Sequence, residues 1–171
     1  MSLRNGPGER SDQGAGTGDG WWRQRWGGHP RWVRWTLVVY ALGFAEGACA
    51  HLADIVRGGV HVYASFGPAP LQLYFLSLVV LDPLAVAGAL LVRTWGPPLA
   101  AAVMATDVAG NWVINWRWLR EDPAWLLRPV GLLPITLFGI FVVATAAPVR
   151  KAIGRDRRRG PAAFLRRPGT S

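Results

Sequence analysis

Four apolar runs, each about as long as a bilayer is thick, constrain this chain more than any other feature. They are residues 36–56, 71–92, 97–116 and 129–149, and a helix of about 20 residues crosses a hydrocarbon core of about 30 Å. Gly58-Gly59 and Pro68-Ala69-Pro70 punctuate the first connection, Gly96-Pro97-Pro98 the second and Glu121-Asp122-Pro123 the third. Glycine and proline interrupt helices, so these stretches separate elements. The second connection is very short, which makes the middle two helices a tight hairpin. The expected fold is all-α: a polytopic membrane protein with four transmembrane helices in an antiparallel bundle.

Charge fits that reading. Only 17% of residues are charged, against about 25% in ordinary soluble chains, and the charge gathers at the two ends. Residues 1–20 are rich in Gly, Ser and Asp and are expected to be disordered, because they cannot bury enough surface to offset ordering entropy. Residues 21–35 interleave five tryptophans with Arg23, Arg25, Arg31 and Arg34. Tryptophan favours the headgroup region and arginine pairs with anionic lipid, so this is an interfacial collar. The same composition binds single-stranded nucleic acid, but next to an apolar run it reads as a membrane anchor. Residues 150–171 form a basic cytoplasmic tail, solvated or lying on lipid and not a folded unit.

Orientation follows from the lysines and arginines. With both termini inside, the outer side keeps only Arg57, Arg117, Arg120 and Arg128, and the other 15 of the 19 basic residues lie inside. The net charge of +9 therefore reports topology and contact with anionic headgroups, with no nucleic acid required. A multi-pass integral membrane protein is expected, in the plasma membrane if the cell is prokaryotic. Ala48-Cys49-Ala50 looks like a signal-peptide cleavage site. The long preceding extension, the continued apolar run and Glu46 argue against cleavage after Ala50. The lone Cys49 excludes an intramolecular disulfide and a cysteine zinc site.

Ionisable residues inside spanning helices each cost about 2.5–3.5 kcal/mol on insertion scales and usually mark function. The first helix carries Glu46, His51 and Asp54, the second Asp82, and the third Asp107, Asn111 and Asn115. Glu46, Asp82 and Asp107 fall at similar depth. Asp107, Asn111 and Asn115 are spaced by four and form one stripe, which Trp118 continues. Asp82 precedes Pro83, which frees a carbonyl one turn back and predicts a kink.

These faces can converge on one cavity at mid-depth that opens outward. Three carboxyls cannot all ionise there without cations, so at least one is expected to hold a proton. That pattern suits acid–base chemistry, with Glu46 and Asp107 exchanging a proton and His51 assisting as the catalytic set. Asp82, Asn111, Asp54, Trp112, Trp116, Tyr40 and Phe44 complete the ligand-binding set, the aromatic faces suiting a cationic molecule. The expected ligand is hydrophobic and sterol- or lipid-like, with isomerisation as the sharper form. A proton-coupled carrier, working as a homodimer, is an alternative that uses the same residues, and a structural protein without ligand is the plain alternative. Asn115 and Asp54, near the outer interface, read as bonds across the bundle worth about 0.6–2 kcal/mol. His29 and His61 read as solvated, and Gly43 and Gly47 as a small-residue packing face. No nucleotide-binding glycine loop or metal-ligand spacing occurs, so no cofactor or metal is expected. A Glu46/His51/Asp107 metal site can be drawn, but nothing in the spacing requires it.

Three stretches carry a family resemblance: YALGFAEGACAHLAD at 40–54, LSLVVLDP at 76–83 and PVGLLP at 129–134. They resemble the emopamil-binding protein and sigma-2 receptor superfamily of four-helix membrane proteins. The resemblance implies a four-helix fold with a pocket for a sterol-like or cationic ligand, and it matches Asp54 to that family's helix 1 acid. The family's helix 2 glutamate falls on Ser77, whereas this chain has Asp82 beside the proline.

Overall fold

A computed structural model describes residues 20, 25–65, 67–127 and 131–164, with side chains described through 155. The expected disordered tail up to residue 19, the collar residues 21–24, the outer-side Arg128, the start of the fourth run at 129–130 and the final residues 165–171 lie outside the described residues. Four long helices carry the fold: α1 (Arg31–Gly58), α2 (Ala69–Leu90), α3 (Gly96–Glu121) and α4 (Leu132–Phe164). A 3-10 turn, Pro123–Leu127, follows α3.

The helix ends follow local chemistry. Proline has no N–H to lose at a helix start, and Pro30 precedes α1, Pro70 opens α2, and Pro97 and Pro98 open α3. At the end of α1, Gly59 takes a positive φ of 69° and its N–H bonds to the Ile55 carbonyl at 2.8 Å, a stop that glycine adopts without a Cβ penalty. The first helix begins five residues before its apolar run because Arg31 to Trp35, expected as collar, continue the same helix. The collar also holds on elsewhere. Arg25 donates to the Leu91 carbonyl at 2.8 Å and the Trp26 indole to the Leu90 carbonyl at 3.2 Å, covering orphan carbonyls at the end of α2. His29, expected to be solvated, is buried there, whereas His61 is exposed. The basic tail also departs from expectation, because α4 continues as helix through Phe164.

Three segments are long and apolar enough to cross a membrane: Arg31–Gly58, Ala69–Leu90 and Leu132–Arg155. The chain is thus all-helical in its described residues and has the make-up of a multi-pass membrane protein. The helix α3 has 26 residues but is not among the three, since Asp107, Asn111 and Asn115 and its proline and charged ends dilute its hydropathy.

Packing follows heptad-like stripes. Val33, Leu37, Tyr40 and Phe44 line the buried face of α1 at steps of four, three and four, and Phe75, Leu78, Asp82, Ala85 and Ala89 do the same on α2. The helices α1 and α2 pack together, as do α3 and α4, and α2 contacts α3. A clamp joins α1 to α4: the Tyr40 hydroxyl donates to the Val142 carbonyl at 2.7 Å and meets the Thr145 hydroxyl at 2.8 Å. The hairpin between α2 and α3 is tight because two glycines face each other. A Cβ placed on Gly88 would lie 2.7 Å from the Gly96 Cα. Val92, in that turn, takes a φ of 48°, a sterically costly value for a β-branched residue. The helix α2 runs through Pro83 without interruption.

Candidate functional site

Two of the acids expected within the membrane are buried, and both lie on core faces. Asp82 is 5% exposed and Asp107 8% exposed. On α2, Asp82 occupies the stripe position between Leu78 and Ala85, and on α3 Asp107 follows Val103 and Met104 toward Gly110. The two carboxyls stand within electrostatic range of each other.

The α1 stripe continues from Tyr40 and Phe44 through Gly47 to His51 and Asp54, again at steps of three and four. Gly47 leaves the space that Asp82 fills: a Cβ there would lie 2.8 Å from Asp82 Oδ2. The same oxygen faces His51 Nε2, one turn further along α1, at 4.0 Å. The other ring nitrogen, Nδ1, is 2.9 Å from the hydroxyl of Tyr63, which donates to Asp54 Oδ2 at 3.3 Å. Tyr63 comes from the α1–α2 connection yet is only 3% exposed. It packs on Phe75 with ring centroids 5.7 Å apart, and His51 lies 6.1 Å from Tyr63 and 6.3 Å from Phe75 by the same measure. Burial first, and then the neighbouring Asp54 charge, push the Tyr63 phenol up to about 12. The phenol therefore stays a neutral hydrogen-bonding group.

On α3 the polar stripe is satisfied mostly along its own helix. Asn111 Nδ2 donates to the Asp107 carboxylate and to its backbone carbonyl, both at 3.0 Å, and Asn115 Nδ2 donates to the Asn111 carbonyl at 2.8 Å. The indole of Trp125 donates to Asn115 Oδ1 at 3.1 Å and stacks on Trp118 at 5.7 Å. Asn115 thus ties the 3-10 turn to α3, in keeping with a structural role.

The structure brings together Asp82, Asp107, Asn111, His51 and Asp54, and leaves other expected members elsewhere. Glu46, expected at the centre of a shared cavity, is exposed. It precedes Gly47 by one residue, which turns it about 100° away from the buried stripe, into the exposed row of Trp35, Val39, Leu42 and Cys49. The drawn Glu46/His51/Asp107 metal site loses its first member for the same reason, and among the described residues no group of three potential ligands forms. Tyr40 belongs to the clamp on α4, and Phe44 stacks edge-on against Tyr40 and Phe138. The indole of Trp112 donates to the Thr136 hydroxyl at 3.0 Å, bridging α3 to α4, and Trp116 is 51% exposed. The aromatic faces beside His51 are instead Tyr63 and Phe75. Neither was among the sequence candidates, because a tyrosine in a connection carries no periodic mark. Gly47 was readable as part of a small-residue face, but not as the seat of a carboxyl.

A separate apolar groove of about 350 Å³ runs between α3 and α4, lined by Met104, Val108, Thr136, Gly139, Ile140 and Val143 among others. Its one polar lining side chain, Thr136, is already bonded to the Leu132 carbonyl and to Trp112. It offers no acid–base chemistry.

Comparison with known proteins finds no matching family model, no similar curated protein and no similar solved structure.

Proposed function

We propose that the chain spans the membrane four times with both termini cytoplasmic, and that the cluster around Asp82 and Asp107 is an intramembrane acid–base site for a hydrophobic, cationic small molecule. One observation carries the reading of the site. Two carboxyls from different helices are buried together, and among the described residues no lysine or arginine forms an ion pair with either. Buried acids without a fixed counter-ion favour protons or a bound cation.

The fourth span rests on the faces of α3. Its polar Asp107 and Asn111 turn inward, while Ala102, Ala105, Ala109 and Val113 are exposed and the exposed Thr106 hydroxyl donates to the Ala102 carbonyl of its own helix, so the surface left for lipid is mostly apolar. The outer set of Arg57, Arg117, Arg120 and Arg128 and the basic tail give the orientation, with the tail resting on anionic headgroups. The resemblance to the emopamil-binding and sigma-2 superfamily points to the same ligand class. Asp82 replaces Glu46 in the acid–base role, with Asp107 and His51 as partners, and isomerisation of a bound lipid-like molecule is the sharper form. A second reading, a proton-coupled carrier acting as a homodimer, is favoured by the bonded series from Asp54 through Tyr63 to His51.

The full-length protein in nanodiscs, titrated with dodecyldimethylamine and followed by native mass spectrometry, tests the site. Asp82→Asn and Asp107→Asn should each weaken binding by about tenfold or more, the equivalent of about 1.4 kcal/mol, with helical circular dichroism unchanged. Unchanged occupancy in both variants refutes the site and leaves a structural role. Uptake of the amine into proteoliposomes with proton movement would select the carrier.

A further inference from the structure

The geometry points to Tyr63 as a positioning residue: anchored on Asp54, it holds His51 in the Nδ1–H tautomer and so aims the unprotonated Nε2 at Asp82. The inference rests on the reading of Asp82 as part of an acid–base site, and it assigns the atom that exchanges a proton with Asp82.

The hydrogen-bond donors decide the tautomer. The Tyr63 hydroxyl has one proton, and the Asp54 carboxylate, an acceptor only, takes it at 3.3 Å. The contact of 2.9 Å between Tyr63 Oη and His51 Nδ1 then needs its proton from the ring, so Nδ1 carries N–H. In a neutral imidazole the other nitrogen is then the acceptor. That nitrogen, Nε2, faces Asp82 Oδ2 at 4.0 Å. Closing that gap by about 1 Å would bring the pair to hydrogen-bond distance. A proton then passes from the Asp82 carboxyl to Nε2: the O–H bond breaks, the N–H bond forms, and carboxylate and imidazolium remain. Asp54, on the far side of Tyr63, stabilises the imidazolium. The reverse step returns the proton.

The surroundings of the ring come from three helices and one connection. The groups around His51 are Asp54 on its own helix, Tyr63 in the α1–α2 connection, and Asp82 and Phe75 on α2, with Asp107 of α3 in electrostatic range of Tyr63 and Asp82. Asp54 is half-buried four residues before the end of α1, His51 lies deeper, and Asp82 is buried. His51 thus stands between the buried Asp82 carboxyl and the α1–α2 connection. Tyr63 itself never ionises in this scheme.

The test reads the ring directly. The full chain, labelled with 15N-histidine and held in nanodiscs at about pH 8.5, where an ordinary imidazole is neutral, contains three histidines. The His51 resonances are assigned by their loss in His51→Gln. The wild-type spectrum should show protonated Nδ1 and the low-field resonance of unprotonated Nε2. Tyr63→Phe, which keeps the packed ring, and Asp54→Ala, which frees the tyrosine proton to point at Nδ1, should each move His51 toward the Nε2–H form. A wild-type His51 that is Nε2–H or doubly protonated overturns the inference, as does an unchanged tautomer in either variant once folded. No ligand enters this measurement. Loss of the tautomer effect with amine binding intact defeats the inference alone, and the converse defeats the ligand reading alone.

Discussion

Replacing Gly47 by alanine separates the seat of Asp82 from the stability of the fold. The added methyl would lie 2.8 Å from Asp82 Oδ2 and 3.6 Å from its Cγ, whereas ordinary contact begins at 3.4 Å. The oxygen must therefore retreat by about 0.6 Å. It sits at the end of a side chain with two torsions, so rotation absorbs the clash at about 0.5–1.5 kcal/mol. Alanine in place of a helical glycine returns about 0.5–1 kcal/mol. Net stability should stay within about 1 kcal/mol of wild type. Binding should not, because Oδ2 is also the oxygen that faces His51. A hydrogen bond to a charged group contributes about 1.5–3 kcal/mol, and forfeiting half of it weakens affinity by about three- to tenfold. Amine titration in nanodiscs, beside reversible unfolding in mixed detergent, measures both quantities. Unchanged affinity in a folded Gly47→Ala protein refutes the reasoning. A stability loss beyond about 2 kcal/mol refutes it too, since it would mean that Gly47 serves close packing and not the carboxyl.

Other substitutions separate roles that the sequence had combined. Glu46→Leu should leave amine binding unchanged and stabilise the membrane-inserted protein, because it removes a carboxyl from an exposed apolar helix face where insertion costs about 2.5–3.5 kcal/mol; weakened binding would return Glu46 to the site. Gly88→Ala puts its methyl against backbone 2.7 Å away, which cannot rotate aside, and should destabilise by about 1–3 kcal/mol in detergent unfolding. Tyr40→Phe leaves the Thr145 hydroxyl with its own-helix acceptor but removes the α1–α4 clamp. It should cost about 0.6–2 kcal/mol with no effect on amine affinity. For Tyr63, a folded value near 12 against 10 in the unfolded chain means that its contribution to stability is full below pH 10. That contribution is lost as pH rises from 10 to about 12. Tyr63→Phe should remove that part of the alkaline loss of stability, and an identical pH dependence in both proteins would contradict the burial of the phenol.

Periodicity and punctuation already determined much of this protein. Pro70 and Pro97-Pro98 mark where helices begin and Gly59 where the first ends, because proline lacks the N–H that a helix interior needs and glycine tolerates the positive φ of a stop. The apolar lengths announce membrane spans, and the scarcity of internal charge singles out Glu46, Asp82, Asp107, His51 and Asp54. Spacing by four placed Asn111 beside Asp107, since neighbours along a helix are set by its pitch. Which side of α1 faces the core was not settled by those rules. Glu46 and Gly47 differ by about 100° in azimuth, and apolar residues occur all round a membrane helix, so hydropathy cannot orient it. Only packing against α2 and α4 turned Gly47 and His51 inward and left Glu46 outside. Likewise nothing local connects Tyr63, in a loop, with a histidine 12 positions earlier. The contact exists because α2 folds back along α1, bringing Phe75 beneath the tyrosine ring and Asp82 over Gly47.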